Sequence, residues 1–393
     1  MRIEELDKKK QAVYQRVDEL TPELVDISKQ IHAHPETNYE EYFASDLLSG
    51  KAEEAGFKVQ RRVADIATAF KAVYRGRKEA PVVAFLSEYD ALPEVGHACG
   101  HNLIGTAGLG AALAVASAVP DIPGTVQLIG TPAEEGGGGK IVLVDGGVFD
   151  EVDAAMMFHP SPRNQLWKYA MASRIVEIEF FGKAAHAASS PEEGINALDA
   201  VIQTFNNINA LRQHMRSDVR IHGIILDGGK APNIVPDHAS ALFYVRSLDD
   251  DYCVEMVKKV RDCAVGASSA TGAELKFHEK GGAYKTLKTN RPLTEAFQRN
   301  SESLGLVFDE NEPMDDVGST DMGNVSHITP SIHPYLKIGA DSLIYHSREF
   351  AEAASSEQGF GTMILAAKAM AATALDFFFD EDFRKRVKED FNR

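Results

Sequence analysis

The rhythm of apolar and polar positions changes several times along the chain, and each change marks an element. Residues 1–56 carry apolar positions at helical spacing, with a break at "HAHPETNYEE" where Pro35 ends one helix and "EEYFASDLLSGKAEEAGF" supplies the next. "AFKAVYR" and "APVVAFL" are short runs of β character joined by a "GRKE" turn. "NLIGTAGLGAALAVASAV" is long, apolar and rich in small residues, which predicts a helix held tightly inside a core. "GTVQLIG" reads as a buried strand, "KIVLVDGGVF" as a helix and "VDAAMMF" as a further strand. Strands alternating with helices predict the α/β class: a mixed, mostly parallel sheet flanked by helices.

At residue 173 the rhythm shifts. "SRIVEIEFFG" alternates like a half-buried strand, "GINALDAVIQTFNNINALRQHM" is helical, and "RIHGIILDGG" and "HASALFYVRS" are strands. "DYCVEMVKKVRDCAVGASSATG" is helical again and "AELKFHEK" is a strand. Strand–helix–strand–strand–helix–strand is the ferredoxin-like order. It predicts an inserted α+β domain over 173–284 that interrupts a first domain made of 1–172 and 285–393. A length of 393 residues also favours two cores over one.

Composition narrows the partners. The chain is 44% hydrophobic and 25% charged, the balance of a globular protein. It has no uninterrupted run of about 18 apolar residues, which predicts no bilayer-spanning segment, and its acidic balance predicts no anionic-membrane partner. The charged start "MRIEELDKKKQAVYQRVDEL" lacks the apolar centre of a signal peptide. Cys99, Cys253 and Cys263 are scattered, as in a reducing cytosol, so a cytoplasmic location is expected. A net charge of −17 predicts no nucleic-acid partner, and an anionic substrate would need local basic groups.

The chemistry gathers at the carboxyl ends of the predicted strands, where open α/β sheets place ligands. "PVVAFL" runs into Ser87-Glu88-Tyr89-Asp90 and then "GHACGHN". "TVQLIG" runs into Thr131-Pro132-Ala133-Glu134-Glu135, "AAMMF" ends at His159, and "DSLIY" ends at His346. Taken singly, these are a buried thiol, a solvated acidic pair and core histidines. Together they offer thiolate, imidazole and carboxylate donors one loop apart, too many for one tetrahedral ion and suited to two ions sharing a ligand. Such donors select zinc or another late first-row ion over magnesium or calcium. If the segment is extended, Cys99 and His101 face the same way across Gly100. Asp90 is placed to accept the second N–H of a ligand histidine. Of Glu134 and Glu135, one can bind metal while the other reaches a nucleophilic water. The Gly136–Gly139 run with Lys140 fails as a phosphate loop, since Glu134 and Ile141 stand where Gly and Ser or Thr are required. His97 reads as a loop-shaping residue.

"YDALP", "HACGHN", "TPAEEGGGG", "MFHP" and a late "YH" resemble the aminoacylase, succinyl-diaminopimelate desuccinylase and glutamate carboxypeptidase superfamily of di-metal peptidases. The chain is most similar to the Cys-containing amidohydrolase branch. "CGHN", "GSTDMGNVS" and "IHPY" resemble its p-aminobenzoyl-glutamate hydrolases and β-alanyl-lysine-type dipeptidases. The resemblance implies a zinc-peptidase-like catalytic domain with an inserted lid and dimerisation domain. It implies two divalent ions, Zn2+ or Mn2+, on Cys99, His101, Glu135, His159 and His346, with Glu134 as the general acid/base. "GKAAHAASSPEEGINAL" resembles the lid motif and implies that His186 polarises the scissile carbonyl. "PNIVP" and "YVRS" imply Asn233 and Arg246 as substrate-holding residues, a guanidinium being suited to a terminal carboxylate. Asp321, His327 and His333 either line the pocket or shape its loop. The commoner motif is "CGHD", so Asn102 removes a carboxylate from behind the ligands.

The expected activity is hydrolysis of the amide bond in an N-acyl amino acid, an aminobenzoyl-glutamate or a dipeptide with a free carboxylate, by a homodimer. Two alternatives stay open. Cys99 could be a nucleophile with His101 or His97 as base, which leaves Glu134, Glu135, His159 and His346 without a role. A catalytically silent metal-binding scaffold is the other, and the retained Glu134 argues against it.

Overall fold

The computed structural model describes residues 3–310, 314 and 317–393. Its strands, in chain order, are β1 (Lys58–Arg61), β2 (Phe70–Arg75), β3 (Val82–Glu88), β4 (Thr125–Thr131), β5 (Ala154–Met156), β6 (His159–Ser161), β7 (Ala172–Phe181), β8 (Arg220–Asp227), β9 (His238–Ser247), β10 (Glu274–Tyr284), β11 (Ser331–Ile332) and β12 (Tyr335–Lys337). Two compact units result, one from Met1–Tyr169 with Leu287–Arg393 and the other from Ala170–Thr286.

In the first unit a six-stranded sheet has the order β1-β2-β4-β3-β5-β11. β4, β3, β5 and β11 are mutually parallel, while β1 and β2 join antiparallel at one edge. Every residue of β3 and β4 is buried, the pattern of strands covered on both faces. The helix His101–Ala118 packs on β3 and is buried through its first 16 residues. Small residues bring it that close: a Cβ on Gly105 would meet the Glu88 carbonyl oxygen at 2.8 Å, and one on Gly108 the Leu86 carbonyl oxygen at 2.7 Å. The start of the helix therefore lies against the end of β3. Asn102 donates to Ser28 Oγ at 3.0 Å and to the Ala354 carbonyl at 2.9 Å. An aspartate could not make these bonds, so the amide has a structural role in this position. The helix Glu357–Phe379 is long and apolar enough to cross a bilayer, but 72% of its apolar window is buried in this unit.

The second unit is a four-stranded antiparallel sheet of order β10-β7-β9-β8, crossed by the helices Ala197–Leu211 and Asp250–Thr271. This is the ferredoxin-like arrangement. Asn196 and Asp249 cap the two helices by accepting from backbone N–H groups of the first turn. Ser173 near its start and Tyr284 near its end are register partners. β8 is an edge strand, and Ile224, Ile225 and Leu226 on it are 61%, 45% and 49% exposed.

Two local expectations are corrected. Residues 341–345 form a turn rather than a strand, and His346 has φ +63°. Its position is set by a long-range bond from His346 N to the Ala98 carbonyl at 3.1 Å, which no local pattern encodes. The Cys99–His101 segment is not extended. Gly100 is left-handed at φ +75°, and His101 opens the helix. A side chain at Gly100 would also strike the Pro160 ring at 2.8 Å.

Candidate metal centre

The site in the first unit is built from four chain segments. β3 ends at Glu88, and the turn at Gly100 delivers Cys99 and His101. β4 ends at Thr131 and leads to Glu134 and Glu135. β6 begins at His159, which pairs in register with Tyr335 on β12. His346 arrives from the turn tied to Ala98.

The loop carrying the two glutamates is held from outside. Ala133 is left-handed at φ +59°, unusual for a residue with a Cβ. Its N–H donates at 3.0 Å to the fully buried Glu41 carboxylate, which also accepts from Tyr39 N and Thr68 Oγ1, each at 2.9 Å. Tyr39 Oη donates to the Gly137 carbonyl at 2.7 Å. Beyond Glu134, the N–H of Glu135 donates to Asp90 Oδ2 at 2.9 Å. Glu134 thus stands between two backbone amides, each held by a buried carboxylate.

Donor atoms converge in three overlapping groups, the atoms within each lying within 4.8 Å of one another. One group is Cys99, Glu135 and His346, another is Glu88, His101 and His159, and the third is His101, Glu134 and Glu135. His346 Nε2 lies 3.6 Å from Glu135 Oε2, and His101 Nε2 lies 3.8 Å from Glu135 Oε1. His101 Nδ1 lies 3.0 Å from both the carbonyl and Oδ1 of Asp90. Both are acceptors, so Nδ1 carries the proton and Nε2 turns toward the donor cluster.

Electrostatics at the centre are strongly uneven. Burial pushes the Glu134 carboxyl well above its usual range, and the charges of Glu88 and Glu135 add to the effect. Burial alone would push His101 down, but Glu88 and Asp90 more than offset it and hold the imidazole well up. His159 is pushed down to about 4 by burial and by His101. Burial pushes the Cys99 thiol well up. A nucleophilic cysteine needs the reverse, which weakens the thiol-nucleophile alternative. Glu88 Oε1, His101 Nε2 and Glu135 Oε1 are buried with no hydrogen-bond partner among the described residues. These orphaned imidazole and carboxylate lone pairs, with the Cys99 sulfur grouped beside Glu135 and His346, fit divalent cations.

Beside this cluster lies Lys140, fully buried. Its Nζ donates to Glu88 Oε2 and, at 2.8 Å, to Asp321 Oδ1, while its backbone N–H donates to Asp321 Oδ2 at 2.9 Å. Sequence reasoning passed over Glu88 and set Lys140 aside with the failed phosphate loop. The available signal was Glu88 itself, an acidic residue closing an apolar strand. Asp321 is spent on Lys140. His333 is 2% exposed with its ring edge-on to His159 at 5.4 Å, and His327 follows the short helix Met322–Ser326. His97 is buried against the Ile31 carbonyl at 3.1 Å.

His186, Asn233 and Arg246 belong to the second unit. His186 is exposed, and its Nδ1 accepts from Ala188 N and Ser189 N, both at 3.2 Å. The neighbouring Ala187 N–H donates to the Asn233 carbonyl at 3.0 Å, so the two loops carrying His186 and Asn233 run together. Arg246, on β9, lies 5.3 Å from the Tyr244 ring centroid. Its buried Nε has no partner among the described residues.

Residues 84–369 match the family model described as peptidase family M20/M25/M40. The chain is 39% identical to the Xaa-Arg dipeptidase of Homo sapiens, over 95% of this chain and 90% of that protein. It is 32% identical to a p-aminobenzoyl-glutamate hydrolase polypeptide of Escherichia coli strain K12, over 97% of this chain and 95% of that protein. Among solved structures, the aminobenzoyl-glutamate utilization protein from Klebsiella pneumoniae shares the fold with a TM-score of 0.76 at 19% identity, covering 93% of this chain and 98% of that one.

Proposed function

Starting from the fact that the chain belongs to peptidase family M20/M25/M40 and is a hydrolase of amide bonds, we propose that it cleaves a dipeptide or an N-acyl amino acid bearing a free carboxylate, using two divalent cations, Zn2+ or Mn2+. The observation that carries this reading is that Cys99, His101, Glu135, His159 and His346 fall in overlapping donor groups, one of which, His101 with Glu135, includes Glu134. The names of the dipeptidase and the p-aminobenzoyl-glutamate hydrolase support the substrate class.

When bound, the cations supply Lewis acidity toward the scissile carbonyl and acidify a water. Glu134 takes the proton of that water and delivers it to the leaving amine. The loop that carries Glu134 is anchored on both sides, at the Ala133 and Glu135 amides, which holds the carboxylate in place for both transfers. Asp90 fixes the tautomer of His101 and, through the Glu135 amide, the position of the loop. His186 polarises the carbonyl, Asn233 orients the substrate, and Arg246, short of partners at Nε, receives its carboxylate. We assign the insert 173–284 the role of lid and dimerisation domain. Dimerisation is supported by the exposed apolar edge β8. A cytoplasmic location is supported by the free thiols of Cys253 and Cys263.

Glu134→Gln should keep full metal content and lower kcat by about 10²–10⁴-fold. Metal analysis and turnover on N-acetyl amino acids, p-aminobenzoyl-glutamate and β-alanyl dipeptides, before and after chelation, test the reading. Wild-type turnover by the variant, or activity indifferent to chelation, would overturn it.

A further inference from the structure

The two oxygens of Glu88 face opposite chemistry. Oε2 takes the Lys140 ammonium. Oε1 is buried, has no hydrogen-bond partner among the described residues, and lies 3.0 Å from His101 Nε2. Since His101 Nδ1 donates to Asp90, Nε2 presents a lone pair to another lone pair. His159 repeats the arrangement: its Nδ1 is 2.7 Å from the Pro160 carbonyl, so its proton sits there and Nε2 is the donor left over. Two acceptors in contact are stable only with a cation at hand, either a proton or a metal.

Charge counting points the same way. Glu88, Lys140 and Asp321 are all at most 1% exposed. One ammonium between two carboxylates leaves one negative charge, and a buried charge without a partner is costly. Asp321 grips Lys140 with both oxygens, so the uncompensated charge falls on Glu88, and on the oxygen facing the two imidazoles.

We infer that Glu88 is a sixth metal-binding residue, donating through Oε1 to the ion held by His101 and His159. The inference rests on the metal-dependent reading above. Lys140, positioned by Asp321, occupies Oε2 and so keeps the carboxylate monodentate. The two ions then differ in kind. The Cys99, Glu135 and His346 group offers a partly exposed site with sulfur. The Glu88, His101 and His159 group offers a more buried site of nitrogen and oxygen donors.

The test uses full-length protein stripped by chelation and titrated calorimetrically with Zn2+, and in parallel with Co2+ while the visible spectrum is recorded. Wild type should take up two ions in distinguishable steps. Glu88→Gln should weaken one step by at least about ten-fold, change the Co2+ absorption of that site, and leave the other step intact. The triple variant Glu88→Gln/Lys140→Met/Asp321→Asn removes all three buried charges together, so it serves if the single variant fails to fold, and it should show the same selective loss. Two steps of wild-type affinity and an unchanged Co2+ spectrum in the folded variants overturn the role of Glu88 while leaving the metal-dependent reading intact. A wild-type protein that binds no metal overturns both.

Discussion

Replacing Lys140 by Met probes the buried charge network where it is least forgiving. Met matches the length of the lysine stem, so packing volume is nearly conserved. What disappears is the ammonium, 0% exposed, and with it the bonds to Glu88 Oε2 and Asp321 Oδ1, while the backbone bond to Asp321 Oδ2 remains. Breaking a buried ion pair by removing one partner costs about 3–5 kcal/mol, because the remaining charge stays buried. Here two carboxylates lose the same cation, which places the loss at the upper end of that range. One kcal/mol lowers the melting temperature of a large domain by about 2–4 °C, so the first unit should melt about 10–20 °C lower. The assay is differential scanning calorimetry of chelator-treated wild type and variant at pH 7. The second unit provides an internal reference, since its transition should not move. Adding Asp321→Asn to Lys140→Met should recover part of the loss by removing one of the stranded charges. A metal-free Lys140→Met protein melting within about 2 °C of wild type would refute the argument that this ammonium neutralises the carboxylates around it.

Glu41→Ala should strand the Ala133 and Tyr39 amides and the Thr68 hydroxyl. At about 1–3 kcal/mol for each unsatisfied buried group, stability and kcat should both fall while metal content holds. Glu41→Gln, which keeps an acceptor for both amides, should restore most of kcat, and full activity in the alanine variant would exclude a positioning role. In the second unit, His238 is drawn up by its hydrogen bond to Asp227 at 2.8 Å, against a smaller opposing effect of burial and with help from Glu179. A raised imidazole stabilises the fold fully below its unfolded value, about 6.5, and the benefit is lost as pH rises through the folded value. The melting difference between wild type and His238→Gln should therefore be larger at pH 6 than at pH 8.5, and equal differences would contradict the pairing. Ile224→Lys on the β8 edge should convert a dimer to a monomer by light scattering, and a wild-type mass of one chain would dispose of the dimer outright.

The elements with a strong local rhythm were legible from the residues alone. β3 and β4 read as buried strands because both faces are covered, and the helix from His101 read as a core helix because its polar positions are so few. Strand direction was less legible: the alternation of buried and half-buried positions in β2 marks a strand but does not tell that it runs antiparallel to β4. The turn at His346 was misread, since "DSLIY" has β composition and only a distant carbonyl decides otherwise. The charge network was missed for a related reason. Lys140 meets Glu88 across 52 positions and Asp321 across 181, and no spacing rule links residues so far apart. Asn102 read as the loss of a carboxylate, whereas its amide ties the start of the helix to Ser28 and Ala354.

The register pairing of Ser173 with Tyr284 bears on how the protein is made. The chain enters and leaves the second unit at neighbouring points of one sheet, so that unit is a closed excursion. During synthesis its final strand leaves the ribosome before any of Leu287–Arg393 does. The excursion can fold as soon as it emerges, whereas the first unit must wait for β11 and the helix Glu357–Phe379. Until then the apolar face of the helix His101–Ala118 has no complete partner. The interval between the two folding events is when the half-built core is exposed, and its length is set by the stretch from Leu287 to the end of the helix Glu357–Phe379 rather than by the chemistry of the site.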